Sequence, residues 1–494
     1  MRIPSRKLNT AHLTANDEAL RRCRKALQFR DRGDFDGAQE VMSGLWEGLG
    51  QRPKIAGLHP TVAPEVLLTV GVLTGWIGSR NEVKEADGWA RDLITESMTL
   101  YESLGDLKKV AESRSELACC YWREGAFDDA RIMFKQALQR LTIEGNARAN
   151  ALIGLAVVEW SSSREAEALR ILTKTKNVKL FDKITNPTIK GFYHNTLAMV
   201  LRKFVRPNNK APQLWRVANH YEEADHYFKL AHNTIFRAMV KNNIGNVLLQ
   251  LSRFGEAHEY LDHARRLAVS LRDKVRTAQI DLTRAEAMIA EERFQEADKI
   301  ARLAAVSFEK AGRRCLLVDA LINRGIALAR LHKTQEAQFT FQRAIEVAQQ
   351  VGASNNAGIA ALSMIEELDD LSPETLRVAY KRANEWLADS QSPELLRRIN
   401  AAATIVFSKV ESEALPEDTD VLLNKPLDFE REKLKTEKAM IKRALALADG
   451  SVTRAASLLS MTHQKLAYII DTRHRDLLPE RSPIHRRPAK RSRG

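Results

Sequence analysis

The sequence predicts an all-α protein, a long stack of helix pairs followed by a small three-helix domain. Three observations carry that prediction. One pattern of small and bulky residues returns along most of the chain, and its last three copies keep a strict 40-residue spacing. Positive charge gathers at the end: from Glu430 to Gly494 there are 16 Lys/Arg against 7 Asp/Glu, a net +9 of the chain's +14. At 494 residues the chain is too long for one ordinary core, so several domains or an elongated array are expected.

The returning pattern is a small residue, a bulky one three later, then Ala, a bulky residue four on, and Ala three further. Ala118, Tyr121, Ala130, Phe134 and Ala137 show it, as do Gly245, Leu248, Ala257, Leu261 and Ala264. Ala285, Met288, Ala297, Ala301 and Ala304 follow, then Gly325, Leu328, Ala337, Phe341 and Ala344. A copy at Ala26, Phe29, Ala38, Met42 and Leu45 opens the series, and looser versions occupy 64–100, 146–175 and 190–236. Turn signatures "RGDF", "EGAF", "LSRF" and "EERF" sit at matching places, and "RPNNKAP" from Arg206 reads as an inserted loop. Small residues let the two helices of a pair approach closely, and bulky ones fill the gap towards the next pair. No pair can bury its face alone, so the pairs stack.

Over roughly 17–390 this resembles the tetratricopeptide repeat family, with a spacing of 40 instead of the family's roughly 34. The resemblance implies a right-handed superhelical stack with a concave groove for a peptide or protein partner. In the family's register the groove face falls on Asn195, Arg202, Lys203, Asn242, Asn246, Gln250, Glu286 and Arg330. Asn side chains both donate and accept, so they suit a peptide backbone, and "KNNIGN" (Lys241 to Asn246) is the best single candidate. The plainer reading of the same residues is an ordinary solvated polar face.

The basic end is organised differently. The repeat array is assigned to 17–410, an acidic two-proline linker to 411–430, a three-helix domain to 431–478 and a basic disordered tail to 479–494. Leu434, Ile441, Leu445 and Ala448 share a helix face, and Gly450 ends that helix. A second helix runs from about Val452 to Leu459 with Ser451 as N-cap and Ala455, Ala456 and Leu459 inward. Ser460 and Met461 turn the chain, and a third helix follows the N-cap Thr462, packing through Leu466, Ile469 and Ile470.

Arg454 and Lys465 each occupy the third helical position, where a Glu would complete a capping box and oppose the dipole. A cation there costs about a few tenths of a kcal/mol. Free N–H groups, the positive dipole end and a basic side chain together make an anion site, which a nucleic-acid backbone would fill. Short helices in this order form a helix-turn-helix. "VTRAASLL" with "MTHQKL" resembles the Fis-type helix-turn-helix over about 440–470. The resemblance implies Thr453 and Arg454 against phosphates, with Thr462, His463, Gln464, Lys465 and Tyr468 in the major groove. Arg473 and Arg475 extend the basic surface, Gln464 suits a bidentate contact to adenine, and His474 reads as a phosphate donor or helix-end residue. Ser460 departs from the family's usual Gly, and Asp471 falls where members tend to be basic.

The chain lacks HExxH, P-loop, dinucleotide-fingerprint and GxSxG motifs, so no enzyme, no cofactor and no ATPase motor are expected. His220, His226 and His232 are spread around a helix instead of converging on a metal. Cys23, Cys119, Cys120 and Cys315 lie at no metal spacing and read as buried thiols. No apolar run reaches membrane-span length and the start has no signal-peptide core. The function expected is a sequence-specific DNA-binding transcriptional regulator in a bacterial, nucleoid-associated cytoplasm. It would act as a homodimer, because one short helix-turn-helix binds weakly, and its array would bind a peptide or protein. The alternative is a non-enzymatic interaction scaffold with a non-specific nucleic-acid-binding tail.

Overall fold

A computed structural model describes residues 14–142, 145–388, 390, 392–414 and 429–481. The central part of the expected linker (415–428) and nearly all of the expected tail (482–494) lie outside the described residues. Among the described residues the chain is all-helical. The first helices are α1 (Ala15–Asp31), α2 (Phe35–Met42), α3 (Ala63–Asn81), α4 (Ala86–Ser103), α5 (Leu107–Arg123) and α6 (Phe127–Arg140). Then come α7 (Asn146–Ser161), α8 (Glu165–Thr173), α9 (Thr175–Lys183), α10 (Pro187–Arg202), α11 (Lys210–Leu230), α12 (Thr234–Gln250) and α13 (Phe254–Ser270). The array continues with α14 (Lys274–Ala290), α15 (Phe294–Lys310), α16 (Arg314–Arg330), α17 (Thr334–Gln350), α18 (Ser354–Glu367), α19 (Pro373–Trp386) and α20 (Pro393–Ala414). The last three are α21 (Phe429–Leu447), α22 (Val452–Leu458) and α23 (His463–Arg473).

The 40-residue repeat has a physical basis in its turns. From α12 to α17 every helix is 17 residues long and is followed by three residues of turn. Left-handed residues fall at His232, Ser252, Arg272, Glu292, Gly312, His332 and Gly352, one at each helix end. After α12, for example, Arg253 N–H donates to the Leu248 carbonyl at 2.9 Å and Ser252 N–H to that of Leu249 at 2.9 Å, closing the helix with its own orphan acceptors. Most of these positions are not glycine. The helix-closing bonds hold the uncommon backbone in place.

Between the turns, packing follows the small-and-bulky pattern. A Cβ built on Gly245 would lie 2.6 Å from the Leu261 side chain, and one on Gly325 would lie 2.7 Å from the Phe341 ring. Leu261 and Phe341 therefore fill the gap within their own pair. Phe134 alone among these behaves as expected for a residue reaching forward, meeting Gly154 of the next pair. Ala257, Ala264, Ala285, Ala297, Ala337 and Ala344 are all buried. The loop assigned to "RPNNKAP" is the connection between α10 and α11, a short 3-10 turn at Pro207–Asn209, and α11 already begins at Lys210. Leu45 lies beyond α2, in a coil that runs to α3 and buries Trp46.

The chain falls into two compact units, Met1–Thr283 and Arg284–Gly494. In the second unit α21, α22 and α23 share a core of Ile441, Ala444, Leu445, Ala448, Ala455, Ala456, Leu466 and Ile470. Leu434, expected on that face, is 41% exposed instead, because the packed part of α21 begins about two turns later, at Ile441. Phe407 of α20 packs against the same core. The four residues 411–414, expected in the linker, are the last turn of α20, and α21 starts at Phe429.

The glycine contacts give a direct stability test. Gly325→Ala should cost about 1–3 kcal/mol through overpacking against Phe341. Gly88→Ala, in α4 with nothing within 4 Å of its added Cβ, should be neutral or stabilise by roughly 0.5–1 kcal/mol. Denaturant unfolding of the two variants measures both.

Candidate nucleic-acid interface

The turn between α22 and α23 is built from local hydrogen bonds. Ser451 Oγ accepts from the Arg454 N–H at 3.5 Å, and Thr462 Oγ1 accepts from the Lys465 N–H at 3.3 Å. Both expected N-caps are thus in place, and Arg454 and Lys465 sit at the third helical position of α22 and α23. Ser460 has φ +53°, a left-handed backbone carried by a residue other than glycine. Met461 N–H donates to the Ala456 carbonyl at 2.9 Å and holds the turn.

On the outer side Thr453, Arg454, Thr462, His463, Gln464, Lys465 and Tyr468 are all exposed, Tyr468 at 65%. Ala455, Ala456, Leu466 and Ile470 face the core, so spacing alone sorts the two sides. Arg454 also acts on Tyr380 of α19, a phenol that burial pushes up while the guanidinium pulls it down.

Four acidic residues of this domain pair with cations of α21 and of the C-terminal end. Glu437 of α21 accepts from Arg473 at 3.1 Å and from His474 Nε2 at 3.1 Å. Lys438 pairs with Asp476 at 2.5 Å, Lys442 with Glu480 at 3.1 Å and Arg481 with Asp471 at 2.9 Å. Arg475 Nε donates to the Asp471 carbonyl at 2.9 Å. Among the described residues no carboxylate forms an ion pair with Arg454 or Lys465. Arg473 and Arg475, expected on the contact surface, are exposed, and each also bonds within the domain, Arg473 to Glu437 of α21 and Arg475 to the Asp471 carbonyl of α23. His474 is a helix-end residue, 3% exposed, and its burial takes it out of reach of a phosphate.

The groove candidates divide in a similar way. Asn246 Oδ1 accepts from Arg202, one helix pair away, and from Gln250 Nε2 at 3.0 Å. Arg202 also reaches Tyr221, whose phenol burial pushes up to about 12. One turn earlier on α12, Asn242 Oδ1 is buried with no hydrogen-bond partner among the described residues. Lys203 is exposed, and Asn195 Nδ2 contacts Met199 Sδ at 3.5 Å. Arg330 forms a two-point ion pair with Glu367 at 2.6 and 3.2 Å, and Glu286 accepts from Asn323 at 3.4 Å. Lys241 pairs with Asp225 at 3.0 Å and lies over the Tyr260 ring. Cross-links between successive first helices are therefore a main use of these polar residues.

Sequence reasoning missed two clusters. His194 and His220 meet across α10 and α11 with their Nδ1 atoms 3.2 Å apart, and burial lowers both, His194 to about 4. Asp319 of α16 accepts from Asn356 at 3.0 Å, and burial raises it to about 6. Cys23 and Cys120 are buried thiols pushed up to about 11 and 12, Cys119 is half-buried, and Cys315 is exposed against expectation because its helix side faces outward. Among the described residues no group of three His, Cys, Asp or Glu could hold a metal, and no helix is long and apolar enough to cross a membrane.

No protein-family model matches this chain. No curated protein sequence matches it either. Among solved structures it is similar to a signal-transduction ATPase with a tetratricopeptide repeat sensor from Pyrococcus horikoshii, with TM-score 0.52, 13% identity and 78% of this chain covered. The chain spans 66% of that protein, just under two thirds of its length. A Rap protein complexed with competence and sporulation factor matches with TM-score 0.43 and 14% identity, over 80% of this chain and 99% of its own. Yeast Tom70 matches with TM-score 0.43 and 13% identity, over 81% and 83%. At such identities the first likeness shows the fold alone: the array is a tetratricopeptide-like helical repeat.

Asp319 yields a pH test. Its carboxyl is raised from 3.8 to about 6 in the folded protein. The folded state therefore holds its proton more tightly, and stability falls as pH rises from 3.8 to about 6. Asp319→Asn should raise stability at pH 7 by on the order of 1–2 kcal/mol and flatten that slope, as read by denaturant titration at pH 4 to 7.

Proposed function

We propose that this chain is a non-enzymatic, DNA-binding regulatory protein in which α22 and α23 dock on duplex DNA and the repeat array binds a peptide or protein. The observation that supports it best is a sorting of charge. Within residues 429–481 four carboxylates neutralise cations at α21 and the C-terminal end, while the capped N-termini of α22 and α23 keep Arg454 and Lys465 without a carboxylate partner among the described residues. Two positive helix starts, each with exposed N–H groups and a basic side chain, suit consecutive phosphates. Gln464, His463 and Tyr468 are exposed one turn into α23, where a recognition helix reads base edges. The Fis-type assignment, a homodimer and a nucleoid-associated cytoplasmic location belong to this reading.

The second reading is an interaction scaffold that binds nucleic acid without sequence preference. The retention of Arg473 and Arg475 by groups of their own domain favours it, because they reduce the basic surface. A selection from a random duplex pool separates the two. The regulator reading predicts enrichment of one site, and Gln464→Ala relaxing one position by about 1–3 kcal/mol. Arg454→Ala and Lys465→Ala should each reduce the slope of log affinity against log salt by roughly 0.9. An unenriched pool with steep salt dependence supports the scaffold. Absence of duplex binding at low salt removes both.

A further inference from the structure

Within the second unit the end of the array and the C-terminal domain meet side by side. α20 packs on α18 and α19, and Arg398 of α20 pairs with Glu366 of α18 at 2.7 Å. The same helix touches α22, and its Phe407 packs against the core of α21, α22 and α23. Tyr380 of α19 points towards this junction. It is 4% exposed, and the charged group acting on its phenol is Arg454 of α22.

Helix geometry places the neighbours of Tyr380. At about 100° per residue, Leu376, Ala379, Tyr380, Ala383 and Leu387 form the inner stripe of α19. Tyr380 marks one edge of that stripe, and Arg377 and Lys381, four residues apart, follow beyond that edge on the exposed surface. Beyond the other edge, Val378, Arg382 and Trp386 line a groove shared with Ile345 and Glu346 of α17. One flank of α19 therefore faces α17, and the flank with Arg377 and Lys381 is the one beside Arg454. The carboxylates Glu374 and Glu385 fall at the middle of the exposed face, between the two flanks. Arg377 pairs with Glu374 at 3.4 Å, with both side chains more than half exposed, a pair that holds the guanidinium weakly. Lys381 has no carboxylate partner among the described residues.

We propose that Arg377 and Lys381 of α19 extend the duplex-binding surface begun by Arg454, so that the array itself holds backbone phosphates beside those held by α22. The proposal rests on the reading of α22 and α23 as duplex-binding helices, and its test separates the failure of one from that of the other. Such contacts carry no base information. They add affinity and fix how the chain lies on the duplex, which suits a domain whose own contact helices are short.

Salt titration of duplex affinity on the full chain reads the result, with Arg382→Ala as a matched control: one charge removed from the same helix on the opposite flank. Arg377→Ala and Lys381→Ala should each reduce the slope of log affinity against log salt by roughly 0.9. Arg377→Lys and Lys381→Arg should keep the wild-type slope, which ties the effect to charge and not to folding. Arg382→Ala should leave the slope unchanged. If neither alanine variant on the first flank lowers the slope while Arg454→Ala does, the array takes no part and the docking of α22 stands. An equal fall in Arg382→Ala also overturns the proposal, since the effect is then one of net charge. A wild-type chain that binds no duplex at low salt removes the underlying reading itself.

Discussion

Close approach of two helices at a small residue is the constraint on which the array depends. Gly245 against Leu261 and Gly325 against Phe341 leave no room for a methyl group, and buried alanines repeat the arrangement around them. That contact fixes how each pair sits, and the 17-residue helices with three-residue turns fix where the next pair begins. The polar residues of the first helices are placed by this spacing. Cross-pair bonds such as Arg202 to Asn246, Asn356 to Asp319 and Arg330 to Glu367 are its consequences.

The C-terminal domain solves a different problem with very little core. Only the second half of α21 and two short helices share this core, so ion pairs and Phe407 of α20 supplement the apolar contacts. Placing those ion pairs at one end has an electrostatic result. The pairs at Glu437, Asp471, Asp476 and Glu480 use up basic residues there, while the starts of α22 and α23 keep theirs. Such a field is asymmetric over a single small domain, and an asymmetric positive field is what draws a polyanion to one face. Contact of α20 with this domain also means that the array's last helix touches it directly, whatever path residues 415–428 take.

What could be read in advance follows from the range of the physics involved. Helix caps are local, so Ser451, Thr462 and the turn at Ser460 were legible from neighbouring residues. The Gly–bulky pattern was legible because it repeats, although its partner was misassigned: residues 16 apart in sequence meet within a pair, which spacing alone does not reveal. The ion pairs of Arg473 and His474 were not legible because Glu437, which holds them, lies 36 and 37 residues away on another helix. The His194–His220 contact escaped for the same reason, since nothing local marks either residue as paired.

The central claim is that α22 and α23 present their N-termini to a duplex. A hydroxyl-radical footprint of the full chain on duplex DNA tests it most directly. The account predicts protected backbone positions flanking one major groove, with protection lost when Arg454 and Lys465 are both replaced by Ala. Uniform reactivity along the duplex under conditions of full binding, or a footprint that survives that double replacement, would contradict it.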